Sequence, residues 1–110
     1  MTSFGDYQTS SRATAVYPGA GDNLLYPTLG LCGEAGEVAE KVKKMLRDDG
    51  GVLSEERRAA LAKELGDVLW YAAQIATEAG LALDDIAEAN LAKLRSRQER
   101  GVLQGSGDDR

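Results

Sequence analysis

The chain has 110 residues, is 43% hydrophobic and 28% charged, and carries a formal charge of -5 with no histidine. That length sets an expectation of one domain with a modest core. The acidic balance excludes the basic field that gathers a nucleic acid polymer or an anionic membrane, so a phosphate-bearing partner must be met by local cations or by a metal. The single Cys32 excludes an intramolecular disulfide, fits a reducing compartment and reads as a small buried helix residue. The N-terminal stretch lacks the regions of a signal peptide, and no apolar run reaches the ~20 residues that span a bilayer, so a cytoplasmic protein is expected.

In chain order, a weak first helix is predicted over about residues 4–15, ending before the loop Tyr17-Pro18-Gly19-Ala20-Gly21. Asp22 or Asn23 can cap a second helix that passes Pro27 near its start and runs to about Arg47, where Asp48-Asp49-Gly50-Gly51 stops it. Ser54 can cap a third, although Arg57 stands where a capping box wants an acid or amide. Gly80 ends that helix, and Asp84 or Asp85 opens a fourth that closes at Arg100-Gly101. Four helices with short connections give an all-α fold, a four-helix bundle over residues 1–100 completed by association. Residues 101–110 read as a Gly-rich mobile tail.

Placed at about 100° per residue, Leu61, Leu65, Val68, Ala72, Ile75 and Ala79 form one apolar stripe of the third helix. Glu64, Asp67 and Tyr71 flank it. Leu31, Ala35, Val38, Val42 and Met45 form the stripe of the second helix, with Glu34 and Glu37 beside it and Glu40 turned further toward solvent. Lys41 lies between the angles of Glu34 and Glu37, where it can pair with Glu37 or reach a phosphate. In the fourth helix Asn90 falls inside a stripe of Leu83, Ile86, Ala87, Leu91 and Leu94, with Lys93 and Arg97 along its edge. A buried amide there needs partners, either to fix register or to contact a ligand. Trp70 lies opposite its helix's stripe, exposed in a lone protomer and better explained by a subunit interface than by base stacking.

Packing the two acid pairs together would bring Glu34, Glu37, Glu64 and Asp67 into one pocket, where like charges demand a cation. Without histidine, the E-x-x-H di-iron bundle and imidazole-bound zinc are disfavoured, and a hard, oxygen-seeking ion such as Mg²⁺ or Mn²⁺ is the natural filler. Such an ion binds substrate phosphates, supplies a hydroxide and neutralises developing charge. No P-loop and no dinucleotide-binding glycine motif is present.

The stretches G-E-A-G-E-V-A-E-K at 33–41, E-L-G-D-V-L-W-Y at 64–71 and N-L-A-K-L-R-S-R at 90–97 resemble the MazG-like, all-α nucleoside triphosphate pyrophosphohydrolases. The resemblance implies hydrolysis between the α and β phosphates to the monophosphate and pyrophosphate. It implies Glu34, Glu37, Glu64 and Asp67 as Mg²⁺ ligands, one of them handling the attacking water. Tyr71, Asn90, Lys93 and Arg97 are implied as nucleotide or phosphate contacts. It further implies a homodimer or homotetramer whose sites draw on a neighbouring chain, with base preference and a cleansing or pool-control role left open. Arg110 is a further phosphate-contact candidate. The competing readings from the residues alone are a helical adaptor whose acids are a solvated face, and a nucleotide sensor that binds without hydrolysing. Helical side chains lean toward the N-terminus, so Gly30 and Gly33 are expected to clear space over Glu34 and Glu37 for a hydrated metal, with Gly36 and Gly66 serving close helix packing.

Overall fold

The computed structural model describes all 110 residues. It contains α1 (Phe4–Ser11), a 3-10 turn at Arg12–Thr14, α2 (Leu25–Asp48), α3 (Glu55–Glu78) and α4 (Leu83–Glu99), with no strand. The fold is all-α with four helices, as the turn residues predict.

Each helix end has a local cause. Ser3 and Asp6 form a complete capping box on α1, the Ser3 hydroxyl accepting from the Asp6 amide and the Asp6 carboxylate from the Ser3 amide. At α2 the cap comes from Asn23, whose Oδ1 accepts from the Tyr26 amide at 3.0 Å, and Pro27 sits in the first turn where its missing N–H costs nothing. Ser54 caps α3 by accepting from the Arg57 amide at 3.2 Å. Arg57, unable to return that bond, pairs with Asp49 across the α2–α3 turn.

The fourth helix starts earlier than its acids indicate: Asp84 and Asp85 occupy its first turn, and neither side chain caps it. The Leu83 amide instead donates to Gln8 Oε1 at 2.7 Å, while Gln8 Nε2 donates to the Leu81 carbonyl at 2.9 Å. A residue of α1 thus pins the turn between α3 and α4. Gly80 (φ +71°) and Gly101 (φ +74°) reverse the chain in the left-handed region after α3 and α4. The Leu81 amide bonds the Ala76 carbonyl at 2.8 Å and the Val102 amide the Arg97 carbonyl at 2.9 Å, satisfying the end carbonyls.

α2 and α3 run antiparallel as a hairpin: Gly30 meets Tyr71 near one end, and Met45 faces Leu61 near the other. α1 lies on α3, and α4 packs on α1. This arrangement buries a face of α3 that the leucine stripe does not indicate. Ala73 and Ala76 are sealed at 0% and 1% exposure, and Gln74 is wholly buried, whereas Leu65 is 52% exposed. Small residues let α1 approach closely, and Gln74 satisfies both ends of its amide by donating to Ser11 Oγ (2.9 Å) and accepting from Arg12 (3.2 Å).

The leucines remain outside. Leu24, Leu25, Leu29, Ile86, Leu91 and Leu94 are exposed, and the radius of gyration of 16.8 Å exceeds the ~13 Å of a compact domain of about this size. Asn90 is likewise exposed rather than buried within a stripe, because α4 turns Leu83 and Ala87, not Leu91, toward its neighbours. Cys32 is an exposed thiol, not a core residue. Trp70 is covered by its own chain: its Nε1 donates to Thr14 Oγ1 at 3.0 Å, and its ring meets Tyr17 and Tyr71 edge-on. The tail folds back on itself, with the Arg110 guanidinium donating to the carbonyls of Val102, Leu103 and Gly107. No helix is long and apolar enough to cross a membrane.

Candidate metal centre

Residues three apart on a helix share a face, and the hairpin sets two such faces against each other. Glu34 on α2 and Glu64 and Asp67 on α3 each offer a carboxylate oxygen, all within 4.8 Å of one another. Glu37 stands one turn further along α2, outside this group of three, and adds its negative charge to Glu34. The Glu34 carboxyl is pushed above the ordinary carboxylate range, first by a hydrogen bond shared with Glu64, then by burial and by the charges of Asp67, Glu64 and Glu37. Three hard oxygen donors whose repulsion is unrelieved, with no imidazole or thiolate beside them, fit a Mg²⁺- or Mn²⁺-like cation.

Tyr71 adjoins the acids. Burial, then the negative charge of neighbouring groups including Glu34 and Asp67, raises its hydroxyl pKa. Its ring occupies the space over Gly30: a Cβ there would lie 2.2 to 2.6 Å from three ring carbons. Gly30 therefore seats Tyr71, which corrects the expectation that it clears room over Glu34. Gly33, Gly36 and Gly66 face open space, so within the protomer the last two do not serve close packing. The contrast is testable by thermal melts. Gly33→Ala should raise Tm by about 2 to 8 °C by removing a glycine from a helix. Gly30→Ala, with the same gain in helix propensity, should lower Tm by about 5 °C or more because the phenol ring must move.

The cations lie elsewhere. Lys93 and Arg97 on α4 close around Asp108 of the tail, with Lys93 Nζ at 2.9 Å and an Arg97 nitrogen at 3.0 Å from Asp108 Oδ1. Arg97 is 5% exposed, and its Nε is buried without a partner. Asn90 looks into an apolar cleft with Phe4, Leu69, Leu83, Ile86 and Leu91. Because α4 packs on α1, a single protomer does not bring these three residues together with the acids of α2 and α3. Lys41 makes no ion pair with Glu37; it lines a cavity of about 460 Å³ at the far end of the hairpin with Lys44, Asp49 and Arg57.

A second group escapes sequence reasoning. Glu78, with 1% of its side chain exposed, accepts from Tyr17 Oη (2.6 Å), the Gly21 amide (2.8 Å), Arg12 (3.2 Å) and the Asn23 amide (3.4 Å). These bonds, the Tyr17 hydroxyl first, hold its carboxyl down at about 2. A folded pKa below the ordinary 4.5 means that the stabilisation is complete above that value and is lost as pH falls from about 4.5 through about 2. Glu78→Gln should lower Tm at pH 7 by at least about 5 °C and flatten its decline between pH 5 and 2, as followed by circular dichroism. The sole advance signal is weak: an acid in the last turn of a helix, where the helix dipole disfavours it.

Residues 23–102 match the MazG nucleotide pyrophosphohydrolase domain, a span that contains all the acids of the hairpin and the basic edge of α4. The chain is 54% identical over 109 residues to the Gene 37 protein of Mycobacterium phage L5, covering 94% of this chain and 96% of that protein, whose name states no activity. No solved structure matches. With most of its length inside the matched domain, the chain belongs to the MazG nucleotide pyrophosphohydrolase family.

Proposed function

We propose that the protein hydrolyses a nucleoside triphosphate between its α and β phosphates, giving the monophosphate and pyrophosphate, with Mg²⁺ as its cation and Mn²⁺ as a substitute. The observation that carries this reading is the convergence of Glu34, Glu64 and Asp67 from two helices of a domain whose family description is that of a nucleotide pyrophosphohydrolase. When bound there, the ion supplies charge neutralisation at the phosphates and lowers the pKa of water. Glu34, Glu64 and Asp67 hold it. Glu37, outside the trio but on the same face of α2, is placed to orient water and accept its proton. Tyr71, fixed over Gly30, borders the space that the sugar and α phosphate would fill.

The negative phosphates also need cations, and the protomer keeps Lys93 and Arg97 away from its acids. The exposed leucines of α2, α3 and α4 supply the apolar surface for a dimer or tetramer in which a neighbouring α4 brings Asn90, Lys93 and Arg97 to the site. In that assembly the phosphates replace Asp108 as the partner of Lys93 and Arg97. Incubation with common and modified ribo- and deoxyribonucleoside triphosphates and Mg²⁺ should release pyrophosphate and monophosphate in equal amounts from at least one. A sensor would bind a non-hydrolysable nucleotide without release, and an adaptor would show no metal-dependent binding.

A further inference from the structure

Residues 101–110 are folded by contacts of their own. The chain bends at Gly101, Gly105 and Gly107, with φ of +74°, +134° and +88°. The Arg110 guanidinium ties the bends together through the Val102, Leu103 and Gly107 carbonyls at 3.1, 2.8 and 2.7 Å. Arg100, at the end of α4, donates to the Arg110 carbonyl at 2.9 Å and fastens the tail. These hydrogen bonds stay within the tail or join it to α4, so the tail can lift away without disturbing the α2–α3 hairpin.

What the folded tail delivers to α4 is one carboxylate. Asp108 Oδ1 accepts from Lys93 Nζ at 2.9 Å and from Arg97 Nη2 at 3.0 Å, and the Asp108 carbonyl accepts from the same Nη2. The two cations, Lys93 first, hold the Asp108 carboxyl below its ordinary range. The fit is lopsided. One nitrogen of the Arg97 fork serves both oxygens, while Nε, on a side chain only 6% exposed, is buried without a partner. A guanidinium holds an anion best when two of its N–H groups meet two oxygens. A tetrahedral phosphate has the oxygens to meet Lys93 and two nitrogens of Arg97 together, which Asp108 does not do. The Asp108 side chain is 77% exposed, so its departure uncovers no core.

We propose that Asp108 is an intramolecular competitor of phosphate: the tail is a strap that occupies Lys93 and Arg97 until a polyphosphate displaces it. The proposal rests on the reading of Lys93 and Arg97 as phosphate contacts given above, and adds a control on when they are free. A carboxylate tethered on a short loop acts at an effective concentration of about millimolar, enough to keep weak anions off the pair. The strap weakens every ligand that must displace it by the reciprocal of the open fraction, about 10-fold if about a tenth of the molecules are open. A polyphosphate overcomes this factor because its further phosphates gain contacts that the strap does not oppose.

Isothermal titration of the full chain with inorganic tripolyphosphate in Mg²⁺ compares the parent with Asp108→Ala and Asp109→Ala. Asp109 is exposed and makes no ion pair, so its variant removes the same charge and leaves the strap in place. Asp108→Ala should bind about 10-fold more tightly than the parent, and Asp109→Ala within about 2-fold of it. In the parent, the ¹⁵N heteronuclear NOEs of Gly105 and Gly107 should be those of ordered backbone without ligand and should fall on saturation with tripolyphosphate, as the tail is released. Equal affinity of the parent and Asp108→Ala overturns the proposal, as does equal tightening by Asp109→Ala. So does a tail that stays ordered under saturating tripolyphosphate, or no binding of tripolyphosphate by the parent or Asp108→Ala. Release of the tail with no turnover of any nucleotide sinks the hydrolysis reading and leaves the strap standing; pyrophosphate formation with KM unchanged in Asp108→Ala does the reverse.

Discussion

Glu64→Gln is expected to reduce hydrolysis by about 10³-fold or more while leaving the cation-free protein at least as heat-stable as the parent. The amide is isosteric, so packing in the hairpin is preserved. It removes one of three charges that crowd together and frees Glu34 from the shared hydrogen bond that most raises its pKa. Mg²⁺ should raise the Tm of the parent, because a ligand bound to the native state stabilises it, and should leave the Tm of Glu64→Gln nearly unchanged. Thermal shift with and without Mg²⁺, beside a pyrophosphate assay, separates this outcome from simple misfolding. A variant that kept full activity would remove Glu64 from the cation site.

The second large effect tests the composite site. Arg97→Ala should also be inactive or nearly so, since it removes a buried guanidinium that one protomer directs only at its own tail. Mixing unfolded Glu64→Gln with unfolded Arg97→Ala and refolding them together should restore about a quarter of parental activity if acids and cations come from different copies in a two-fold dimer. Half of the dimers are then mixed, and each mixed dimer has one intact site. If acids and cations of a site belong to one chain, every site in the mixture carries a lesion and no activity returns. Size exclusion of the parent should show a dimer or larger species. The observation behind this expectation is the row of exposed leucines together with a basic helix edge that no acid of α2 or α3 meets.

Much of this architecture was legible in the sequence because helix ends are written locally. Ser54, Gly80 and Gly101 act on residues within one turn of themselves, and the structure places them at the ends they predict. The shared face of Glu64 and Asp67 was legible for a similar reason, since three-residue spacing fixes it whatever the partner helix does, whereas the pocket expected to gather four acids closes on three, with Glu37 one turn further along α2. What could not be read is register and remote pairing. Nothing in the α2 pattern says that Gly30 will meet Tyr71, and so its role over Glu34 was misassigned. Gln74 and Glu78 look like surface residues in their own helix, and become buried only because Arg12 and Tyr17, some sixty residues earlier, reach them. Trp70 failed for the same reason, its cover coming from Thr14 and Tyr17. The apolar stripes did mark surfaces that require burial, but the protomer leaves Leu65, Leu91 and Leu94 outside.

The proposed chemistry needs a divalent cation held by Glu34, Glu64 and Asp67 and used to cleave one particular anhydride. Turnover of a nucleoside triphosphate in ¹⁸O-labelled water, with products resolved by ³¹P NMR in Mg²⁺ and again in excess chelator, examines both parts at once. The predicted result is monophosphate and pyrophosphate in a one-to-one ratio with a single ¹⁸O between them, and no turnover in chelator. Formation of diphosphate and orthophosphate, or undiminished turnover in chelator, would contradict it.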